Sequence, residues 1–378
     1  MKSVYLDNAA TTPIAPEVVE AMVPVMQSNF GNPSSSHSFG RKSKALIESS
    51  RRSIAKHINC LPSEIIFTSG GTEADNMALN SSVNQLGVTH IITSELEHHA
   101  VGHTAQALSK FARISSVRVC EKGNVDLDHL DELLQTEEKT LVSLMHANNE
   151  IGTKIDLKKV SEICRKHNAY FHSDTVQTLG HYPFDMKELD IDFITCAGHK
   201  FHGPKGIGFL YVNKNVKAEA IIKGGSQERG LRAGTENVYG IVGLSKAMDL
   251  AYEDVEGHQK YVQGLKSYMI ERLTSIFDDI YFHGETDSEK SLYTVLNVCF
   301  PKNDKSSMLL FTLDLKGVAV SGGSACSSGA AKGSHVLEGI NADMSRPNAR
   351  FSFSRYTTKE EIDYALEQVS AVFEKTLA

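Results

Sequence analysis

A lysine set among histidines and glycines is the first segment with chemical potential. AGHKFHGPKG, at 197–206, places Lys200 directly after an apolar run, with His199 and His202 on either side. A lysine amine in such surroundings can form a Schiff base with a carbonyl compound. The ordinary alternative is a surface lysine in a loop, which the nearby histidines and glycines make less favoured.

A glycine pair marks a second segment, SGGTEADN at 69–76, between a predicted strand and a helix expected to begin near Glu73. Gly70 and Gly71 let the backbone approach a ligand, and free N–H groups at a helix start bind anions such as a phosphate monoester. A plain glycine turn capped by Thr72 explains the same letters equally well. The chain contains no GxxxxGK[ST] phosphate loop.

Asp174 ends an otherwise apolar run in the third segment, HSDTVQT at 172–178. A partly buried carboxylate needs a cationic or N–H partner. A cofactor's pyridinium nitrogen is one candidate, and a helix N-cap is the structural alternative.

Cys326 lies in a run of small residues in the fourth segment, SGGSACSSGAAKGS at 321–334. The other five cysteines stand beside apolar residues, in contexts that predict burial: Cys60, Cys120, Cys164, Cys196 and Cys299. An accessible thiol among glycines and serines is a plausible nucleophile. An inert cysteine in a linker remains the alternative on this motif alone.

Histidine pairs raise the possibility of a metal site. His199 and His202, or His98, His99 and His103, are close in sequence. No carboxylate or cysteine stands at the usual ligand spacing beside them, and no CxxC pair occurs. We therefore expect no metal.

These segments must be positioned by a sheet. Between residues 62 and 212, short β-branched runs alternate with helical patterns, which is typical of a mostly parallel α/β sheet. In such sheets ligands collect at the carboxyl ends of strands. Strands are predicted at 64–69, 90–94, 115–119, 140–146, 169–174, 192–196 and 206–212, and helices at 126–135 and 156–167.

The composition describes an ordinary globular protein of about two domains. The 378 residues are 41% hydrophobic and 22% charged, with a net charge of −7 and no long block of one sign. This mix argues against disorder, a disulfide-stapled miniprotein and nonspecific nucleic-acid binding. No apolar stretch predicts a signal peptide or a membrane span, and the scattered cysteines favour a reducing compartment. We expect a cytoplasmic protein.

The glycine- and arginine-rich stretch 223–237 interrupts the pattern and leads toward a second domain. A long helical pattern follows from Val238, then strand and mixed elements at 291–299 and 308–320. The segment 357–375 reads as a capped amphipathic helix.

Taken in order, the motifs resemble one family. Beyond the four segments above, the chain carries YLDNAATTP (5–13), FGNPSSSHSFG (30–40), LEHHAV (96–101), HANNEIG (146–152), RAGTEN (232–237) and ARFSFSRYTTKEE (349–361). From Val4 to the terminal helix it closely resembles the cysteine desulfurases, pyridoxal-phosphate enzymes of the class V aminotransferase group. The resemblance implies an α/β fold of type I, aspartate-aminotransferase-like, in a homodimer. A large cofactor domain would span 14–250, and a smaller α+β domain would combine 1–13 with 251–378.

The resemblance also implies roles for individual residues. Lys200 matches the lysine that holds pyridoxal 5'-phosphate, Asp174 the partner of the pyridine nitrogen, and His98 the histidine that stacks on the ring and transfers protons. The remaining matches are Asn149 and Gln177 beside the ring, Gly71, Thr72 and His199 at the phosphate, Thr235 at the partner subunit's phosphate, Arg350 on the substrate carboxylate, and Asn32 on the substrate side.

Cys326 matches the catalytic cysteine that takes sulfur from L-cysteine as a persulfide. Its long loop resembles the branch that supplies sulfur-acceptor proteins for iron-sulfur cluster assembly or tRNA thiolation. Two alternatives stay open: a selenocysteine lyase on the same fold, and a sulfur-relay scaffold that only a partner activates.

One departure from the family pattern matters, and it lies at Ala197. Relatives usually have serine three residues before the lysine, where its hydroxyl bonds the cofactor phosphate. Loss of a hydrogen bond to a charged group costs about 1.5–3 kcal/mol. We therefore expect weaker cofactor binding, or a water in place of the hydroxyl.

Overall fold

The computed structural model describes residues 3–302, 308–322 and 333–375, so Cys326 lies outside the described residues. The strands are β1 (Val4–Tyr5), β2 (Ile65–Thr68), β3 (His90–Thr93), β4 (Arg113–Ser116), β5 (Thr140–Ser143), β6 (Tyr170–Asp174), β7 (Phe193–Ala197), β8 (Gly208–Val212), β9 (Tyr281–His283), β10 (Val295–Cys299), β11 (Val318–Ala319) and β12 (Asn348–Ser352).

The helices alternate with these strands in the first two thirds of the chain. They are α1 (Pro16–Ser28), α2 (Ser38–His57), α3 (Gly71–Asn84), α4 (His99–Leu108), α5 (Leu127–Leu133), α6 (Leu157–Lys166), α7 (Met186–Leu189), α8 (Val238–Glu253), α9 (Val255–Ile276), α10 (Leu309–Leu315), α11 (His335–Gly339) and α12 (Lys359–Val372). Within the described ranges, no helix combines the length and apolar character that crossing a bilayer requires.

A seven-stranded sheet forms the centre of the fold, in the order β2-β8-β7-β6-β5-β3-β4. β8 runs antiparallel to both of its neighbours, and the other pairs are parallel. Every residue of β2, β3, β5, β7 and β8 is buried, as expected for a sheet covered by helices on both faces. The predicted mostly parallel α/β architecture is confirmed.

The carboxyl-terminal part of the chain builds separate, smaller sheets. β10 pairs antiparallel with β9 and β12, while β1 from the N-terminal arm pairs parallel with β11. An apolar core joins Val4 and Leu6 to residues between Val262 and Phe373. The predicted division into 14–250 and the remainder of the chain stays a prediction.

Three local expectations were wrong. β4 covers Arg113–Ser116 rather than 115–119, because this register pairs it with all four residues of β3. α3 begins at Gly71, two residues before the predicted start near Glu73. Gly70 is the N-cap, and its φ of +155° lets the chain turn from β2 into the helix at this residue. Cys120 is exposed, because it begins a turn closed by the Gly123 N–H on its carbonyl at 2.7 Å.

Candidate active site

A cavity of about 360 Å³ opens at the carboxyl ends of the central strands. Asp174 is the last residue of β6 and Ala197 the last of β7, so the sheet itself delivers both to one place. Nine of the residues predicted from sequence line it: Gly71, Thr72, His98, Asn149, Asp174, Gln177, His199, Lys200 and Arg350.

Lys200 ends a short 3₁₀ turn, Gly198–Lys200, that follows β7 directly. Its Nζ donates to the carbonyl oxygens of Ala9 at 2.6 Å and Ala10 at 2.9 Å. The lysine carbonyl lies 3.2 Å from His181 Nε2. Amine and backbone are thus held from two sides, and the amine faces the cavity.

The start of α3 supplies an anion site. The first turn of a helix has N–H groups without intrahelical acceptors, and its dipole favours a negative charge there. A Cβ on Gly71 would lie 2.7 Å from Val176 Cγ2, so only glycine allows this close approach. Thr72 is exposed with its hydroxyl at the same turn. His199 also lines this cavity, and burial lowers its pKa to about 4, which leaves the imidazole neutral.

Asp174 is a buried carboxylate at the base of the cavity. Its Oδ1 accepts the Val176 N–H at 2.9 Å, and only 6% of its surface is exposed. Burial, reinforced by the nearby Asp75 carboxylate, raises the Asp174 pKa to about 6. Burial also raises the pKa of Asp75 to about 7. A cationic N–H group placed beside these carboxyls would relieve that cost.

His98 lines the same cavity, with its ring orientation fixed by a hydrogen bond to the backbone. It is the N-cap of α4, and its Nδ1 accepts the Ala100 N–H at 3.2 Å. The proton of the neutral ring therefore sits on Nε2. Burial lowers the pKa of His98. A neutral imidazole with one free N–H can pass a proton at neutral pH.

Arg350 brings the only arginine guanidinium that borders this cavity among the described residues. Its Nη2 donates to Asp7 Oδ1 at 2.8 Å, and its Nη1 to the Asn149 carbonyl at 2.8 Å. Its buried Nε has no hydrogen-bond partner in the described chain. A guanidinium has five donors, so this side chain retains capacity for a carboxylate ligand.

Gln177 and the N-terminal arm close one side of the cavity. The Gln177 side-chain amide donates to the Ala9 carbonyl at 3.1 Å, the same oxygen that accepts from Lys200. The N-terminal segment YLDNAATTP thus contributes backbone carbonyl oxygens to the cavity, and the identity of its side chains does not predict this role.

Two predicted residues that the structure describes do not line the cavity. Asn32 is exposed and uses its Oδ1 to accept the Ser34 N–H at 2.9 Å. Thr235 is exposed, on the segment that the Arg232–Glu73 ion pair ties to the first turn of α3. Cys326 lies outside the described residues. The roles of all three stay predictions.

Two acidic residues of the cavity were not predicted from the sequence. Asp75 lies one helical turn after Gly71, so their i, i+4 spacing on α3 was an available signal. Glu150 follows Asn149 in HANNEIG, is 3% exposed, and has its pKa raised to about 7 by burial. Nothing local predicts the burial of Glu150, because its partner Ser334 is distant in sequence.

One group of potential metal ligands occurs in the described chain. Single ligand atoms of Asp75, His98 and Asp174 all lie within 4.8 Å of one another. Two of them, His98 and Asp174, are residues that the family resemblance predicts at the cofactor. His99 and His103, which with His98 are possible metal ligands on the sequence alone, stack on each other with ring centroids 4.7 Å apart.

The described cysteines are free thiols. Burial raises the pKa of Cys60 and of Cys164 to about 12, and raises those of Cys196 and Cys299 as well. These four are poor nucleophiles. Cys120 is the exposed exception.

Comparison with known proteins places this geometry in a family. The model of the class-V aminotransferase family matches residues 4–365. The cysteine desulfurase IscS of Dictyoglomus turgidum is 44% identical, over 99% of this chain and 95% of the relative. The chain belongs to the cysteine desulfurases of the class-V aminotransferase family. The resemblance drawn from the motifs is confirmed, and so is the enzyme class.

Solved structures agree on the fold. A NifS-like protein superposes with a TM-score of 0.91 at 36% identity, covering 99% of this chain and all of that one. The structure described as SspA in complex with cysteine has a TM-score of 0.82 at 29% identity, covering 94% of this chain and all of the other. The type I fold predicted from sequence is thereby confirmed.

Proposed function

We propose that this desulfurase binds pyridoxal 5'-phosphate in the cavity and converts L-cysteine to L-alanine, with the sulfur captured on Cys326. The convergence of Lys200, Asp174, His98 and the α3 anion site on one cavity carries the proposal. Their chemistry fits the cofactor: an amine for its aldehyde, a buried carboxylate for its ring nitrogen, and N–H groups for its phosphate. Bound there, the cofactor would withdraw electrons from Cα of the amino acid.

Arg350 would orient the substrate through its carboxylate. A guanidinium fork matches a carboxylate in two parallel hydrogen bonds. Asp7 now occupies one side of that fork at 2.8 Å. The substrate carboxylate would therefore either displace Asp7 from the guanidinium or accept hydrogen bonds from the donors that Asp7 leaves unused.

Lys200 and His98 would move the protons. The Lys200 Nζ lines the cavity and would take the proton from Cα of the substrate. The His98 Nε2–H faces the same cavity and would supply a proton to the departing carbon skeleton.

Cys326 would accept the sulfur. Its thiolate attacks the substrate sulfur, so the S–S bond forms as the Cβ–S bond breaks. The electron pair passes to the carbon skeleton, which gains a proton and leaves as alanine. Ser321, five residues earlier, pairs with the backbone of Arg350, and five residues span at most about 17 Å. The chain is therefore long enough for the thiol to reach the cavity.

The chain would act as a homodimer that passes sulfur to acceptor proteins in the cytoplasm. Apolar side chains on and after α1 are exposed in the single chain: Val19, Val23, Met26, Phe30 and Phe39. Such a patch is typical of a protein interface. A second copy would also explain why Thr235 is expected in a phosphate site yet does not line the cavity of its own chain. The acceptors would serve iron-sulfur cluster assembly or tRNA thiolation.

The test is alanine formation from L-cysteine by the cofactor-loaded enzyme. Cys326→Ala should retain the cofactor and its spectral response to cysteine, yet form no protein persulfide. Cys120→Ala is the matched control, because it removes the exposed described thiol and should leave the reaction intact. Persulfide formation that survives in Cys326→Ala would overturn the assignment. Faster turnover of selenocysteine than of cysteine would favour a selenocysteine lyase.

A further inference from the structure

The short helix α11 is attached to the wall of the active-site cavity by its own apolar cluster. Val336, Leu337 and Ile340 pack with Leu96 and Ile151, all buried. Leu96 stands two residues before His98, and Ile151 two residues after Asn149. The helix therefore rests on the two loops that carry cofactor-site residues.

Ser334, the N-cap of α11, adds a polar contact to this attachment. Its Oγ accepts the Leu337 N–H at 3.1 Å and donates to Glu150 Oε2. Both side chains are buried, with Ser334 5% and Glu150 3% exposed. A hydrogen bond inside a protein is electrostatically stronger than one in water.

Glu150 is itself held firmly. Its N–H donates to Asn148 Oδ1 at 2.8 Å, and its carbonyl accepts from Asn297 Nδ2 at 3.1 Å. The side chain borders the cavity together with Asn149 and Arg350. Its position is thus fixed by the same elements that build the substrate site.

The other end of the Cys326 segment is attached to the same wall. The Arg350 N–H donates to the Ser321 carbonyl at 2.6 Å, and the Ser321 N–H donates to the Arg350 carbonyl at 3.3 Å. Cys326 lies between Ser321 and Ser334 in sequence. The chain thus leaves the wall beside Arg350 and returns to it at Glu150.

We propose that Glu150 is a positioning residue for sulfur transfer, which fixes the downstream end of the Cys326 segment through the Ser334 hydroxyl. This rests on the proposed role of Cys326. Glu150 acts through Ser334 rather than on the substrate. Loss of the contact should slow sulfur transfer to the thiol and leave the preceding binding of cysteine unchanged.

The test measures two steps separately on the cofactor-loaded enzyme. Absorbance reports cysteine binding, and a single-turnover assay reports persulfide formation. In Ser334→Ala and in Glu150→Ala, the persulfide rate should fall about tenfold, which corresponds to roughly 1.4 kcal/mol, and in Ser334→Ala the dissociation constant for cysteine should change less than about twofold. The double variant should be no slower than either single variant, because both remove one contact.

Two further variants separate positioning from simple destabilisation. Ser334→Thr keeps the hydroxyl and should restore the rate. Ser345→Ala removes a serine–aspartate contact to Asp343 beyond α11 and should change nothing. Retained persulfide rates in Ser334→Ala and Glu150→Ala, or additive losses in the double variant, would overturn the proposal. Absence of a persulfide on Cys326 in the wild type would instead refute the proposed function.

Discussion

Replacing Asp174 with asparagine should stabilise the empty protein and weaken its hold on the cofactor. Asp174 is buried beside Asp75, and no cationic side chain hydrogen-bonds it within the described chain. Asparagine keeps the shape and an oxygen for the Val176 N–H, but removes the charge. The two effects have opposite signs because the site is built for a ligand that carries the missing positive charge.

The size of the first effect follows from the raised pKa. The pKa of Asp174 rises from an ordinary 3.8 to about 6, so the folded chain holds this proton more tightly than the unfolded chain. Each pKa unit corresponds to about 1.4 kcal/mol, which gives about 3 kcal/mol. The wild type loses this free energy of unfolding as the pH rises from about 4 to about 6, and the variant does not. The variant also removes the repulsion between the Asp174 and Asp75 carboxylates, which likewise stabilises the empty protein.

Chemical denaturation of the cofactor-free proteins at pH 4 and pH 8 measures this effect. The two proteins should unfold at similar denaturant concentrations at pH 4, and the variant should be more stable by about 3 kcal/mol at pH 8. At pH 8 the wild type should bind the cofactor more tightly than the variant, with a dissociation constant about tenfold to a hundredfold lower. This is the range expected for a hydrogen bond to a charged group. A variant less stable than the wild type at pH 8 would refute the reasoning.

Three further predictions concern the cofactor, the substrate and the fold. Ala197→Ser should tighten cofactor binding about tenfold or more by restoring a phosphate hydroxyl, measured by equilibrium dialysis; weaker retention would contradict it. Arg350→Lys should raise KM for cysteine at least about tenfold, since a point charge replaces a planar fork, with cofactor affinity as the control. Glu228→Gln should lower the free energy of unfolding, measured in urea, by about 3–5 kcal/mol, because it breaks a buried ion pair with Arg51 at 2.7 Å. A loss no larger than that caused by the same substitution at an exposed glutamate would contradict this prediction.

The sequence predicted the cavity because parallel strands deliver their carboxyl ends to one edge. Asp174 and Lys200 could be assigned to that edge from strand patterns alone, before any family resemblance. The exposure of Cys120 could not be predicted in the same way, because its apolar neighbours precede a turn rather than continue a strand.

Contacts between distant segments set the limit of prediction. Lys200 is held by carbonyl oxygens of Ala9 and Ala10, and backbone atoms carry no side-chain signal. Glu150 meets Ser334 only once the chain has folded. Thr235 is expected to act in a second subunit, which no pattern within a single chain can locate.

The most direct test of the central claim is to locate the sulfur after one turnover. Cofactor-loaded enzyme is mixed with one equivalent of L-cysteine, quenched with a thiol-alkylating reagent, digested and examined by mass spectrometry. We expect the peptide that contains Cys326 to gain the mass of one sulfur atom while an equal amount of alanine appears. Alanine formed with the extra sulfur on Cys120, or on no cysteine of the protein, would contradict it.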